Sequence, residues 1–512
     1  MTLTCILSAM PVSAQVQEGD TLNFWSVSYV DWPPLWGSPQ RQFDAVCKKV
    51  GSHCYVFVET GATIPSQSIM DDLVTSFDTH FYPALTPKYG PVPDQFDHDS
   101  NVYIVALNEN YWAGYFDPGQ QMPDSLMQAY WNMRSNQREI IYIAANAFNS
   151  SAEEIVAHEF GHLLHWGKDH SVEPANPGIF WEEAFVDEGF STFAAEYLTR
   201  NLFQHNVYDN SAFFRSNPDI PLIYFSDYNQ AKLFMTFMFE HFGQWNYISA
   251  LIGNQLNGWQ GVDSTLRQLG YNTTFKEAFE QFCVANYADD SVYLNGKYSY
   301  DHFSFPDCYA VNNHSSFPTA NVNGTLVPFG SDYITFNAST PKPVEVIFQG
   351  DSLSEFRLAF IMMNPSGSGI HKVVSVTPDA SGHAVFVADS LGTAYTKLVM
   401  VAMCTDTGLD TIENIGYSYT ATQYAATPEV PANSGFRVYP NPAKDKLFVE
   451  LPSGMEERST LEIFDTSGNQ KSSYPVNKKT KSIDISMLSP GIYILRVKLG
   501  NTILSARFVC IK

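Results

Sequence analysis

Short, dense apolar runs punctuate the N-terminal part of the chain. Tyr55-Val-Phe-Val-Glu59, Val102-Tyr-Ile-Val-Ala-Leu107 and Glu139-Ile-Ile-Tyr-Ile143 are β-branched and aromatic, and read as buried strands. Pro-rich turns around Trp32-Pro-Pro and from Pro83 to Pro93 separate them. The third run stands a few residues before a helical stretch, where a strand can form the sheet edge that holds an extended peptide. From Ser151 the period changes. Ile155, Val156, Leu163 and Leu164 form one apolar stripe, Ser151 and Glu154 read as a capping box, and Gly167 reads as the stop.

Trp181 to Leu198 forms a second helix. Around its Glu188, the positions one or two turns away are Ala184, Ser191, Thr192 and Ala195. This small-residue face can approach another helix closely, and a carboxylate in its middle needs a partner there, such as a metal cation. Ala231 to Phe242 and Phe275 to Tyr287 are strongly apolar helices, with Gly243 capping the first and Met235 and Met238 read as core. From Tyr309 to Tyr424, runs such as Ser331-Asp-Tyr-Ile-Thr-Phe336 alternate with Gly/Ser/Pro turns, as in an all-β module. Ala425 to Ser434 is a Pro/Ala linker, and Phe436 to Lys512 holds about seven short strands, enough for a small β-sandwich.

Composition narrows the function classes. The chain has 512 residues, too many for one domain, and 45% are hydrophobic without a run long enough to span a bilayer. A formal charge of −24 argues against nucleic acid or an anionic membrane as partner and fits a secreted protein. Residues 1–14 resemble the end of a signal peptide, with an apolar Leu3 to Leu7 segment and Val12-Ser13-Ala14 as cleavage site, although no Lys or Arg precedes Arg41. Removing Cys5 with the signal leaves six of seven cysteines. Cys47 and Cys54 are near enough in sequence to close a small loop, and no Cys-x-x-Cys occurs.

The chemistry concentrates in His158-Glu159-Phe-Gly-His162. At about 100° per residue, histidines four apart stand on one helix face and can share a metal ion, with Glu159 directed at a water on it. Two neutral imidazoles and one carboxylate leave zinc with an open fourth position and bring a bound water's ionisation near neutrality. Asp94, Asp97 and Asp99 offer oxygen donors before the second strand. Their spacing is not that of an EF-hand, so a solvated turn is preferred and Ca2+ is the alternative.

His158-Glu-Phe-Gly-His162 followed by Val186-Asp-Glu188-Gly-Phe-Ser resembles the gluzincin metallopeptidases. The likeness is first to the hyicolysin-like peptidases and more distantly to thermolysin and the alanyl aminopeptidases, and spans Val102 to Asp290. It implies an α+β zincin-type domain over 15–305 and one catalytic Zn2+ held by His158, His162 and Glu188, with Glu159 as general base. The 26 residues from His162 to Glu188 (188 − 162) exceed the thermolysin-like spacing, which places an insertion between Gly167 and Phe180. Glu183 is the competing third ligand, though no glycine follows it, and Asp187 stands outside the ligand set. A metzincin would need glycine where His165 stands and histidine at Lys168. Tyr228-Asn-Gln-Ala-Lys resembles the aminopeptidase segment whose tyrosine stabilises the tetrahedral intermediate. Tyr224 is the second candidate, and a plain helix-start tyrosine is the structural alternative.

A second resemblance lies at the C-terminus. Phe436-Arg-Val-Tyr439-Pro-Asn-Pro442, Leu461-Glu-Ile-Phe-Asp465 with Gly468, and Ser489-Pro-Gly491-Ile-Tyr-Ile-Leu-Arg496 look like the type IX secretion sorting domain. That implies export by the type IX machinery, then release or surface attachment. The expected architecture is therefore a signal (1–14), a peptidase domain (15–305), a β-rich module (309–424), a linker (425–435) and a sorting domain (436–512). The expected activity is secreted zinc endopeptidase, with protein or peptide as substrate. The alternatives are a catalytically silent surface-binding or adhesive protein on a peptidase fold, and an aminopeptidase, for which no Gly-x-Met-Glu-Asn-like segment occurs.

Overall fold

The computed structural model describes residues 16–27, 40–109, 113–172, 182–199, 212–225, 227–301, 304–305, 307–338, 341–365, 369–409, 412–423, 436–450, 459–465, 469–476, 480–499 and 502–511. The expected signal, the Trp32-Pro33-Pro34 turn, the linker, Gly468 and the 173–181 part of the inter-helix loop lie outside them.

The apolar runs build one six-stranded sheet from β1 (Thr21–Val27), β2 (Gln40–Val50), β3 (Cys54–Glu59), β4 (Val102–Leu107), β5 (Gly114–Phe116) and β6 (Ile140–Ala144). Their order is β1-β2-β3-β4-β6-β5. β3, β4 and β6 run parallel and the other pairings are antiparallel. Strands buried on both faces need apolar residues at every position, which is why these runs do not alternate. Val56, Ile104, Ile141 and Ile143 meet the helices, while Tyr55, Phe57, Tyr103 and Tyr142 pack with Phe24 and Phe43 behind the sheet.

Two expectations fail here for geometric reasons. The Glu139–Ile143 run is not the sheet edge: β6 is buried throughout, and β5 pairs outside it. β5 has three residues, one of them glycine, too few to give a periodic signal. Cys47 and Cys54 do not pair. Both are free and buried, with Cys47 behind the sheet and Cys54 on its helical face. Strand pleating sends them to opposite sides.

The helices are α1 (Gln67–Ser76), α2 (Tyr82–Tyr89), α3 (Asp124–Trp131), α4 (Ala152–Val172), α5 (Ala184–Thr199), α6 (Ala212–Ser216), α7 (Tyr228–His241), α8 (Trp245–Ile252), α9 (Gly258–Gln268) and α10 (Phe275–Ala288). α4 lays Val156, Phe160, Leu163 and Leu164 on the sheet, and the Phe160 ring stands 4.8 Å from that of Phe77. It does not stop at Gly167. That glycine admits Pro93, since a Cβ there would stand 2.3 Å from Pro93 Cγ. Its role is close approach rather than termination. At Gly161 a Cβ would stand 3.0 Å from Ser191 Cα, so α4 and α5 touch nearly backbone to backbone. α5 is held on its other side by α7, through Gly189 against the Ala231 carbonyl and a buried Lys232–Glu196 ion pair of 2.7 Å. Met235 and Met238 are fully buried, as expected of core.

The following module is a two-sheet sandwich. Its strands are β7 (Asn312–His314), β8 (Val322–Leu326), β9 (Ser331–Asn337), β10 (Val344–Gly350), β11 (Phe356–Met363), β12 (Ile370–Val376), β13 (His383–Ala388), β14 (Lys397–Cys404) and β15 (Ile415–Gln423), ordered β13-β10-β15-β8 and β12-β11-β14-β9-β7. The central strands of the second sheet, β9, β11 and β14, are buried on both faces. Inward residues such as Leu358 and Met400 fill the sandwich, whereas Tyr333, Ile361, Val399 and Val401 join the core of the first domain. Phe329 stands 4.8 Å from Phe275, and the Tyr333 hydroxyl donates to the Cys283 carbonyl at 2.8 Å. The boundary expected near residues 305–309 thus runs through continuous packing. Among its described residues, the C-terminal β-rich domain has seven strands: β16 (Arg437–Tyr439), β17 (Lys446–Glu450), β18 (Ser459–Asp465), β19 (Gln470–Val476), β20 (Thr480–Asp484), β21 (Gly491–Leu499) and β22 (Thr502–Cys510). They enclose a separate small core that includes Leu447, Ile463 and Leu495.

A chain ending at residue 305 would expose Phe275, Phe279 and Tyr287 where Phe329 and Tyr333 now cover them. We expect it to aggregate, and a chain ending at residue 424 to remain monomeric with cooperative unfolding. Size-exclusion chromatography with thermal melting checks this.

Candidate metal centre

His158 and His162 stand one turn apart on the face of α4 opposite its apolar stripe, with Nε2 atoms 3.1 Å from each other. From α5, Glu188 Oε2 lies 3.3 Å from His158 Nε2 and 3.4 Å from His162 Nε2. Ligands about 2.0–2.2 Å from a tetrahedral metal lie about 3.3–3.6 Å from one another, so these three donor atoms have nearly the spacing of one tetrahedral face. Glu188 Oε2 is buried and makes no hydrogen bond, although it sits between two imidazoles. An oxygen so placed fits a cation. Burial alone would raise the Glu188 pKa, but His162 and His158 outweigh it and hold the carboxyl at about 2.

The ring atoms turned away from this point are also engaged. His162 Nδ1 is 2.9 Å from Asp187 Oδ2, and His165 Nδ1 is 2.7 Å from Asp187 Oδ1. Asp187 therefore bridges two histidines of α4, and an Nδ1–H donating to it leaves the His162 Nε2 lone pair free. Burial opposes the Asp187 charge, yet His162 and His165 hold its carboxyl well below the ordinary range. Thr192 Oγ1 stands 3.5 Å from His158 Nδ1. The bridge was only half legible: Asp187 flanks Glu188 and His165 follows His162 by three, but one carboxylate serving both could not be read from spacing.

Glu159 is 7% exposed. Burial raises its pKa, the neighbouring histidines partly offset that, and Glu188 adds to it. The Phe116 backbone of β5 lies within hydrogen-bonding reach of Glu159, and Gly114 brings the strand so close to α4 that a Cβ would stand 2.5 Å from Ile155 Cγ2. Glu183, the rival ligand, points elsewhere: its carboxyl packs against Gly258 at the start of α9. Beside it, Glu182 accepts from the Gly258 amide at 2.6 Å. Tyr228 opens α7 at the rim, half exposed, its ring 6.3 Å from that of His158. Burial and the charges of Glu188 and Glu159 raise its pKa. The Tyr224 hydroxyl instead donates to the Leu409 carbonyl of the sandwich.

At the C-terminus, Asn441 of the Tyr-Pro-Asn-Pro motif fastens β22: its side chain accepts from the Val509 amide at 2.8 Å and donates to the Arg507 carbonyl at 3.2 Å. Residues 437–512 match the family described as a secretion system C-terminal sorting domain. The chain thus carries a type IX sorting domain, which marks it for secretion and cell-surface attachment. No described helix is long and apolar enough to cross a membrane. No curated protein matches the sequence. Among solved structures, similarity is found to PorZ, a surface component of the type IX secretion system of Porphyromonas gingivalis, at 20% identity over 19% of this chain and 14% of that one, TM-score 0.14. The Yersinia pseudotuberculosis-derived mitogen matches at 15% identity over 22% of this chain and 93% of that one, TM-score 0.17. The adhesin domain of Epf from Streptococcus pyogenes matches at 7% identity over 37% and 76%, TM-score 0.14. Scores this low establish neither a shared fold nor a shared function.

Glu188 titrates at about 2 in the fold against an ordinary value of 4.5. A depressed carboxyl contributes stability above its unfolded pKa and loses it as pH falls through the folded one. The metal-free protein should therefore lose stability between pH 4.5 and 2 more steeply than Glu188→Gln. Denaturant titrations across that range measure the difference.

Proposed function

We propose that the chain is a secreted zinc-dependent endopeptidase of the gluzincin kind on a zincin-type domain. The observation that carries this is the mutual spacing of His158, His162 and Glu188 beside a buried carboxyl, Glu159. A zinc ion held by those three residues supplies Lewis acidity toward the substrate carbonyl and the attacking water. Glu159 accepts the proton of the water as its oxygen bonds to the carbonyl carbon, then passes it to the leaving amine as the C–N bond breaks. The Tyr228 hydroxyl, protonated at neutral pH, donates to the oxyanion. β5, at one end of the sheet's strand order, offers its outer edge to an extended peptide backbone and lies beside Glu159.

Hydrolysis of an unfolded generic protein by the full chain, with zinc content measured alongside, tests each role. Glu159→Gln should lower the rate by about 10²–10⁴-fold with zinc retained. Tyr228→Phe should lower it by about 10²-fold, also with zinc retained. Glu188→Ala should lose zinc while Glu183→Ala keeps it. Undiminished cleavage by Glu159→Gln, or zinc lost from Glu183→Ala and not from Glu188→Ala, overturns the assignment. Absence of cleavage with zinc bound would favour a binding role.

A further inference from the structure

His165 follows His162 by three residues on α4 and is 2% exposed. It is not one of the three donors that converge at the candidate metal centre. Its Nδ1 is directed at Asp187 Oδ1, 2.7 Å away, and its ring stands edge-on to Phe190 with centroids 5.1 Å apart. The other oxygen of the same carboxylate, Asp187 Oδ2, lies 2.9 Å from His162 Nδ1.

Asp187 and Glu188 are consecutive on α5, so their side chains leave the helix about 100° apart. Both nevertheless reach the His162 ring, Glu188 at Nε2 (3.4 Å) and Asp187 at Nδ1. Asp187 can set the tautomer and orientation of that ring only while its own carboxylate is held still. A carboxylate bound at one oxygen turns easily about its last torsion, whose energy profile is broad. One bound at both oxygens does not, and His165 supplies the second hold. The partner of His158 Nδ1 is a hydroxyl, Thr192 Oγ1, at 3.5 Å, where a hydrogen bond is weak. A cavity of about 20 Å³, room for one water, touches His162, His165 and Asp187. Water entering there in place of His165 would satisfy Asp187 without fixing its direction.

We propose that His165 is a positioning residue of the metal centre: through Asp187 it fixes the His162 ring with Nε2 turned toward Glu188. This role presupposes His158, His162 and Glu188 as the ligands and adds a residue outside that set. Removing outer partners of this kind alters metal affinity by about 10–100-fold.

The test measures, on the full chain, zinc affinity by chelator competition, the visible absorption of the cobalt-substituted protein, and the Tm of the metal-free protein. A glutamine carries its amide nitrogen near the place of a histidine Nε2, and an asparagine near that of Nδ1. His165→Gln should therefore lower zinc affinity by about 10-fold or more and alter the cobalt absorption, whereas His165→Asn should restore most of both. In an Asp187→Asn background the further loss from His165→Gln should nearly disappear, as expected of two residues acting in series. If His165→Gln does not fold, His165→Ala takes its place. Equal affinities in wild type, His165→Gln and His165→Asn, with only the metal-free Tm lowered, would overturn the proposal and leave His165 as a contact between helices. An undiminished loss in the Asp187→Asn background would overturn it as well, because His165 would then act without Asp187. Wild-type protein that binds neither zinc nor cobalt would overturn the metal centre itself, and this role with it.

Discussion

Two helices that carry charged side chains toward each other can meet only where the residues between them are small, and α4 and α5 meet at Gly161 and Ser191. That contact sets the distance from which Glu188 reaches between His158 and His162 and Asp187 reaches His162 and His165. Each of these groups would be costly to desolvate alone: Asp187 is met by two histidines of the opposite helix, whereas Glu188 Oε2 stands between two imidazoles without a hydrogen bond. A methyl group at position 161 would press on Ser191 Cα at 3.0 Å and spread the donor atoms together with the backbone. The sheet beneath α4 and α7 behind α5 act as the jaws that keep this seam closed.

The chemistry was more legible than the architecture around it. Two histidines one turn apart, and a carboxylate at the centre of a small-residue face, are local patterns, and the fold brings them together. Of the small face expected around Glu188, Ser191 and Ala195 are buried where α5 packs, Thr192 is partly buried and Ala184 is exposed. The choice between Glu183 and Glu188 could not be made by counting residues. It depends on the position of α9, whose Gly258 receives Glu183 and Glu182. Likewise Gly167 reads as a helix stop until the chain folds back and sets Pro93 against it.

What sequence could not supply are relations between distant segments. The buried run at Ile140–Ala144 says nothing of the three-residue β5 that covers its outer side. Asp97 and Asp99 read as a turn, and each accepts from the amide two residues on, but the Tyr55 hydroxyl that Asp99 also accepts comes from β3, which pairs with β4. The boundary near residue 305 is a change in periodicity from helix to strand. A change of period is not a gap in packing, and the second sheet of the sandwich presents apolar residues on both of its faces.

That shared packing bears on timing. Val399 and Val401 of β14 belong to the same core as Phe234 of α7 and Phe160 of α4. Synthesis runs from the N-terminus, so α4 and α5 emerge long before β14 does. Until Cys404 has been made, the cluster that presses the two helices together is incomplete. A nascent chain therefore carries His158, His162 and Glu188 before the packing around them is finished, and the sorting domain follows the last missing strands by only a short stretch. The packing that presses α4 against α5 and the address for export are therefore completed almost together.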